Sequence, residues 1–109
     1  MSYKIIAVPT FSKEAKKLAK KYHSLKSELE IIFASLEINP IQGTSLGNNC
    51  YKIRIAISSK GKGKSGGARL ITNIIINNET VYLLSIYDKS EKDSLSNSEL
   101  NELLKSIPK

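Results

Sequence analysis

The stretch Cys50-Tyr-Lys-Ile-Arg-Ile-Ala-Ile-Ser-Ser-Lys-Gly-Lys-Gly-Lys-Ser-Gly-Gly-Ala-Arg69 decides how the rest of the chain reads. Its first nine residues alternate. Tyr51, Ile53, Ile55 and Ile57 point one way and Lys52, Arg54, Ala56 and Ser58 the other, which is the period of a half-buried strand. Lys60 to Gly67 is too rich in glycine for regular structure. Ala68 to Asn77 is apolar and β-branched again and predicts the next strand. Asn77-Asn78 then predicts a hairpin turn, with Thr80 to Tyr87 as the return strand.

Upstream of this core the pattern changes period. Tyr3 to Val8 is a compact apolar run closed by Pro9 and predicts a first strand. Phe11, Ala15, Leu18, Ala19 and Tyr22 then fall on one face of a helix, with Ser12 as its predicted cap and lysines 13, 16, 17, 20 and 21 on the other side. After His23-Ser24 the spacing restarts at Leu25, Leu29, Ile32, Phe33 and Leu36. A connection this short predicts an antiparallel helical hairpin. Asn39-Pro40 ends the second helix, and Gly43 to Asn49 reads as a loop. Downstream, Ser96-Asn-Ser-Glu99 is a capping box, flanked by Leu95 and Leu100 at staple positions, and opens a last short helix through Ile107. The predicted order is β-α-α-β-β-β-α. Helices grouped early and hairpin strands grouped late place the chain in the α+β class, with a mainly antiparallel twisted sheet packed against the helical hairpin and the C-terminal helix. At 109 residues, a single domain over 1–109 is expected.

Charge narrows the partner class. From Ile38 to Asn78 there is no Asp or Glu, while Lys52, Arg54, Lys60, Lys62, Lys64 and Arg69 give +6 of the net +7. The remainder carries eleven basic against ten acidic residues, 17 − 6 against 10 − 0. One basic strip on a near-neutral scaffold attracts polyanions, and phosphate backbones are the commonest of these. The single cysteine, Cys50, excludes an internal disulfide and fits a reducing cytoplasm. The apolar N-terminal run is too short for a signal peptide or a membrane span. A soluble cytoplasmic protein without membrane contact is expected.

Several chemistries lack the residues they need. Gly63-Lys64-Ser65 resembles the end of a phosphate-binding Walker loop. Ser58 stands where the first glycine is required, though, and a strand follows where a helix N-terminus should receive the phosphate. A flexible basic hairpin loop is the competing reading. His23 is the only histidine and lies far in sequence from the strip. Cys50 has no second cysteine or nearby histidine. Zinc, a Cys–His pair and a Ser–His–Asp triad are therefore disfavoured. Asp88, Glu91 and Asp93 read as surface charge or helix-terminal bias, with a metal contact as the minority reading. What remains is the strand set. Lys52 and Arg54 share a face, as do Arg69 and Asn73, and as do Ser85, Tyr87 and Lys89. If the faces coincide, Lys52, Arg54, Arg69, Tyr87 and Lys89 form one concave patch; otherwise they belong to a solvated sheet face.

The segments Cys50–Arg54, Lys60–Gly67, Ala68–Thr72 and Leu83–Glu91, in this order, resemble the RelE/ParE toxin superfamily, with the nearest likeness to its HigB-type branch. The resemblance spans nearly the whole chain and implies a RelE-like fold and a toxin of a bacterial type II toxin–antitoxin pair. It also implies a ribosome-dependent endonuclease that needs no metal or other cofactor and cuts messenger RNA in the ribosomal A site, halting translation. In such enzymes the ribose 2′-hydroxyl attacks the adjacent phosphate, leaving a 2′,3′-cyclic phosphate and a 5′-hydroxyl. By the same resemblance Lys52, Arg54, Arg69, Tyr87 and Lys89 are the expected catalytic residues. Lys60, Lys62, Lys64 and Asn73 are expected to hold RNA or the 16S ribosomal RNA around the A site. A cognate helix-turn-helix antitoxin is the expected protein partner. The sequence departs from the family at two points: Leu95 stands near where a catalytic tyrosine often lies, and Lys89 stands in place of an arginine. Two other readings share the fold class or the charge: a ParE-like inhibitor of DNA gyrase, and a non-catalytic RNA- or ribosome-binding module.

Overall fold

The computed structural model describes residues 2–61, 66–92 and 94–108. Strand β1 (Lys4–Ala7) leads into helix α1 (Pro9–Lys21) and helix α2 (Leu25–Ile38). Strands β2 (Thr44–Gly47), β3 (Cys50–Ile55), β4 (Ala68–Ile75) and β5 (Thr80–Asp88) follow, and helix α3 (Asn97–Leu104) closes the order. The five strands form one sheet in the order β1-β5-β4-β3-β2. β1 runs parallel to β5 and the other neighbours are antiparallel. The predicted α+β class and largely antiparallel sheet are thus observed.

The expected loop from Gly43 to Asn49 contains an additional strand. Asn48 and Asn49 both adopt positive φ, 54° and 59°, which is the two-residue hairpin geometry whose twist matches that of its strands. This turn folds Thr44–Gly47 back onto β3, pairing Thr44 with Lys52 and Ser45 with Tyr51. The start of α1 also differs from expectation. Pro9 occupies the first turn directly after Val8, where its fixed φ suits the helix and its missing N–H is no loss. Ser12 is consequently inside the helix, its amide donating to the Val8 carbonyl at 3.1 Å, and does not cap it. At the other end the capping box is formed as read. Glu99 N donates to Ser96 Oγ at 3.2 Å and Ser96 N donates to Glu99 Oε1 at 3.0 Å.

Register sorts the sheet into two faces. Ile53 pairs with Leu70 and Ile55 with Ala68 on one face. Ile53 and Ile55 share a cavity wall with Ile31 and Ile32 of α2, so the helical hairpin covers this side. Phe11 and Phe33 meet edge to face, with centroids 6.1 Å apart, tying α1 to α2. Leu25, Leu36, Ile57, Leu70, Leu84 and Ile86 are among the fully buried side chains of the single core. At roughly 1.5–3 kcal/mol for each large side chain removed from water, this burial is the main stabilising contribution. Glu14 of α1 reaches the stretch of β5 that β1 does not cover. There its Oε1 accepts from Ser85 Oγ at 2.7 Å and Ile86 N at 3.2 Å, standing in for a missing strand neighbour.

Gly67 fixes where β4 begins. A Cβ at this position would lie 1.9 Å from the Ile55 carbonyl oxygen, while the Gly67 carbonyl accepts from Lys89 N at 3.0 Å. The backbone is therefore held between β3 and β5. Gly67→Ala is expected to destabilise the fold by about 1–3 kcal/mol, the range for forced overpacking. Urea unfolding checks this, and an unchanged midpoint would show that the contact relaxes at no cost.

Candidate active site

The face opposite the helical hairpin carries the predicted set. Arg54 pairs with Arg69, and Arg69 with Tyr87, so three candidates form one row across β3, β4 and β5. The next row holds Lys52, Ile71 and Ser85. Lys52 is half-buried and Arg54 exposed, whereas Arg69 and Tyr87 are only 4% and 7% exposed. The coincidence of faces that alternation alone left open is realised for these four residues.

The hydrogen-bond phase of the β3–β4 ladder adds a constraint. Ile74 N donates to the Asn49 carbonyl at 2.9 Å, which makes Cys50/Asn73 a non-hydrogen-bonded pair. By alternation Arg54/Arg69 is another. Such pairs have the closest Cα approach in an antiparallel ladder, about 4.5 Å. Two cationic side chains therefore leave the sheet side by side. Directly opposed like charges work against sheet stability, and an anion spanning both would relieve the repulsion. The Arg69 guanidinium also donates to the Ala68 carbonyl at 3.1 Å, which restricts its orientation. The Tyr87 ring is covered by the Lys92 ammonium, 5.6 Å from the centroid. Lys92 is half-buried, lies close to the site and pairs with Glu99, lowering that carboxyl's pKa to about 2, with the Ser96 amide helping. Sequence reading passed over Lys92 because it sits among acids and outside the basic strip.

The remaining candidates are placed elsewhere. Lys89 is half-buried just past β5, anchored through its amide to Gly67. Lys60, expected on a loose docking loop, instead turns inward on a short 3₁₀ turn (Ser58–Lys60) that Gly61 ends with φ 76°. Its ammonium pairs with Asp88, donates to Ser90 Oγ at 3.2 Å and lies 5.4 Å from the Tyr22 ring centroid. With its side chain only 9% exposed, Lys60 is committed to the fold and not to docking. Lys62, Lys64 and the loop segment Gly63-Lys64-Ser65 lie outside the described residues, as does Asp93. Asn73 is buried, its Nδ2 donating to the Asn48 carbonyl at 3.0 Å and to Cys50 Sγ at 3.4 Å. It stabilises the β2–β3 turn and does not reach solvent. Burial pushes the Cys50 thiol up, with Asn73 partly offsetting this. His23 is exposed.

Asp88, expected among three surface acids, is instead a buried hub. It accepts from Tyr22 Oη at 2.6 Å, Ser90 N at 2.9 Å and Ser90 Oγ at 2.7 Å in addition to Lys60, with Lys21 3.9 Å away. Burial alone would raise its carboxyl. The hydrogen bonds from Lys60, Tyr22 and Ser90 outweigh that and hold it well below the usual carboxylate range. The hub joins the end of α1, the 3₁₀ turn and the end of β5, and Tyr87 and Lys89 are its immediate chain neighbours. Among the described residues no group of three or more His, Cys, Asp or Glu is arranged to hold a metal ion, and no helix is long and apolar enough to cross a membrane.

This architecture has close counterparts. The structure of a double arginine-to-alanine mutant of the E. coli toxin RelE in the free state matches with a TM-score of 0.66 at 21% identity, covering 99% of this chain and 100% of that one. The intact E. coli RelBE toxin–antitoxin complex matches with a TM-score of 0.61 at 20% identity, over 80% of this chain and 96% of that one. RelBE2 of Mycobacterium tuberculosis gives a TM-score of 0.56 at 17% identity, over 81% and 92%. At these identities the likeness establishes the fold. Membership comes from the sequence itself, because the family model described as the RelE toxin of the RelE/RelB toxin–antitoxin system matches residues 4–108. The chain thus belongs to the RelE toxin family.

Proposed function

We propose that this toxin is a ribosome-dependent, metal-independent endoribonuclease that cleaves messenger RNA in the ribosomal A site. The observation that carries the reading is the Arg54–Arg69–Tyr87 row, with Lys52 beside it, on the face the helical hairpin leaves open. Attack of a ribose 2′-hydroxyl on its neighbouring phosphate forms a bond to phosphorus, builds negative charge on the equatorial oxygens and expels the 5′-oxygen. Cations held in place before the reaction stabilise that charge more than the ground state, so they act on the rate and not only on binding. Arg54, being exposed, grips the phosphate. Arg69, oriented by the Ala68 carbonyl, supplies a fixed charge with fork geometry. Lys52, in the neighbouring row on the same face, is the proposed base or electrostatic partner. Tyr87 ends the row, and a base can stack on its ring only where Lys92 vacates it; Lys89, just past β5, is a proposed further cation for the phosphate chain. The ribosome supplies messenger RNA in a fixed path, which converts a weak encounter into a positioned one. By analogy with the RelBE complexes, a cognate antitoxin is the proposed partner that holds the toxin in check.

The test is primer extension on messenger RNA in a purified translation system, with and without ribosomes. Cuts that appear only with ribosomes are expected, with 2′,3′-cyclic phosphate and 5′-hydroxyl ends, the products of attack by the 2′-hydroxyl. Cleavage of free RNA at equal rate would sink the ribosome-dependent reading. One observation favours a second reading. Leu95 is half-buried against the core, so the C-terminal segment brings no phenol toward the row. A module that binds the ribosome without cutting would show stoichiometric translation arrest with intact transcripts.

A further inference from the structure

We infer that Lys92 is a further RNA-contacting residue of this site, a third cation at the Tyr87 end of the row, held back by Glu99 of α3 until an RNA phosphate displaces that carboxylate. The inference rests on the reading of this face as an RNA site and deepens it. Backbone geometry explains why a residue beyond β5 returns to the row. The amides of Glu91 and Lys92 both donate to the Asp88 carbonyl at 3.0 Å, so the chain turns back on itself directly after β5. Asp88 Oδ1 fastens this turn, accepting from Ser90 N at 2.9 Å and Ser90 Oγ at 2.7 Å. Lys92 is thereby carried over Tyr87, its ammonium 5.6 Å from the ring centroid. Helix α3 supplies the counter-charge from the other side. Leu100 is buried and anchors the helix to the core. Glu99 Oε1 is committed to Ser96 N in the capping box, which leaves Oε2 to pair with Lys92.

Three features make this pair an exchangeable contact and not a fixed strut. Both side chains remain partly in solvent, Lys92 35% and Glu99 44% exposed, and exposed ion pairs contribute little to stability. The capping box holds Glu99 and the Asp88 hydrogen bonds hold the turn, so neither element needs the pair to keep its place. The composition of the row is the second feature. Arg54 and Arg69 are cationic and Tyr87 is neutral, so the charge of the row itself stops one strand short of β5. From β3 to β5 is two strand spacings, about 10 Å. One phosphate cannot reach across that distance. A phosphate gripped by Arg54 and Arg69 leaves the next one in the chain near Tyr87, where the Lys92 ammonium lies over the ring. Third, the exchange conserves charge, because one monoanion replaces another as the acceptor of a charge-assisted hydrogen bond. As Lys92 swings off the ring to meet the phosphate, that face of Tyr87 opens to a stacking base. One side-chain movement thus couples phosphate capture to base stacking.

The experiment measures kcat/KM for cleavage of ribosome-bound message in a purified translation system, with urea midpoints on the same samples. Lys92→Ala is expected to lower kcat/KM about tenfold, the loss of one charge-assisted contact, and Lys92→Arg to retain most of the wild-type value. Glu99→Gln keeps the capping box, which glutamine also serves, but frees the ammonium. It is expected to raise kcat/KM about twofold to fivefold, the release of an exposed ion pair. The gain should vanish in the Lys92→Ala background. Glu102→Gln, which removes the same charge from an exposed position of α3, should give no gain. A purely structural pair predicts the opposite, a loss in both single variants with a lower midpoint. That result, unchanged cleavage by Lys92→Ala, or no gain in Glu99→Gln would overturn the proposal. A second arm needs no cleavage. A 2′-O-methyl RNA hexanucleotide, which lacks the attacking hydroxyl, is titrated into the full chain at low salt. The Lys92 ε-methylene protons lie over the Tyr87 ring, which shields them in the NMR spectrum. This shielding is expected to fall as RNA binds, and its persistence at about 1 mM RNA, the weak limit of specific recognition, would overturn the proposal. Persistent shielding in a protein that still cuts would strike the role of Lys92 alone. Lost shielding in a protein that cuts nothing would strike the cleavage reading alone.

Discussion

Arg54→Ala is expected to lower ribosome-dependent cleavage by about 10²–10³-fold, the loss seen when one preorganised transition-state donor is removed. The fold should not change. Arg54 is exposed, and a surface substitution of this kind shifts stability by no more than about 0.5 kcal/mol. Any small shift should be toward greater stability, because the change removes the like-charge opposition to Arg69. Cleavage rate by primer extension and urea midpoint, measured on the same sample, separate the two effects. Arg69 is the stronger site on chemical grounds but the poorer single test, since it is 4% exposed and its truncation disturbs packing as well as charge. Arg69→Lys answers this by keeping the charge and losing the fork. A rate loss for Arg69→Lys with an unchanged midpoint would place the guanidinium geometry in the reaction. Full activity of Arg54→Ala would remove the cross-strand row from the mechanism.

Asp88→Ala is expected to destabilise the protein by about 3–5 kcal/mol, the cost of breaking a buried ion pair and stranding its partner. The stranded group is Lys60, whose side chain is 9% exposed and whose other polar partner is Ser90. Tyr22 Oη and the Ser90 amide lose their acceptor as well. The folded state holds the Asp88 carboxyl below its ordinary value, so its contribution is complete above the unfolded pKa of about 3.9 and is lost as pH falls toward the folded value. The wild type should therefore lose stability on acidification below about pH 4 more steeply than Asp88→Ala. Parallel acid-unfolding curves for the two proteins would show that Asp88 is not the acid-sensitive group. Asp88→Asn, which keeps the shape and one acceptor but cannot titrate, should lie between them in stability at neutral pH and share the shallow acid dependence of Asp88→Ala.

The strand alternation of residues 50–58 was legible because side-chain direction in a strand is a local property with period two. It placed Lys52 and Arg54 on one face before any neighbour was known, and the same logic grouped Ser85 with Tyr87. The helical spacings, the Pro40 stop and the Ser96/Glu99 box are equally local and were formed as read. The Asn48–Asn49 turn was also written in the chain. Its two asparagines lay within an apparent loop only seven residues long, and the four-residue strand before them is too short to show a period.

What the sequence by itself determined is therefore the class of each element, the side of its own strand on which each residue sits, and the sign of the charge the middle of the chain carries. Only the tertiary structure decided which strands are neighbours and in what register. That register brought Arg54, Arg69 and Tyr87 into one row, and it turned Asn73 and Lys60 into structural groups. Lys60 shows the physical reason. A lysine beside glycines looks free until a carboxylate 28 positions away is brought within reach, and burial of both groups then makes their pairing obligatory. Contacts of that separation are set by how the sheet closes on the helical hairpin, and no local pattern records them.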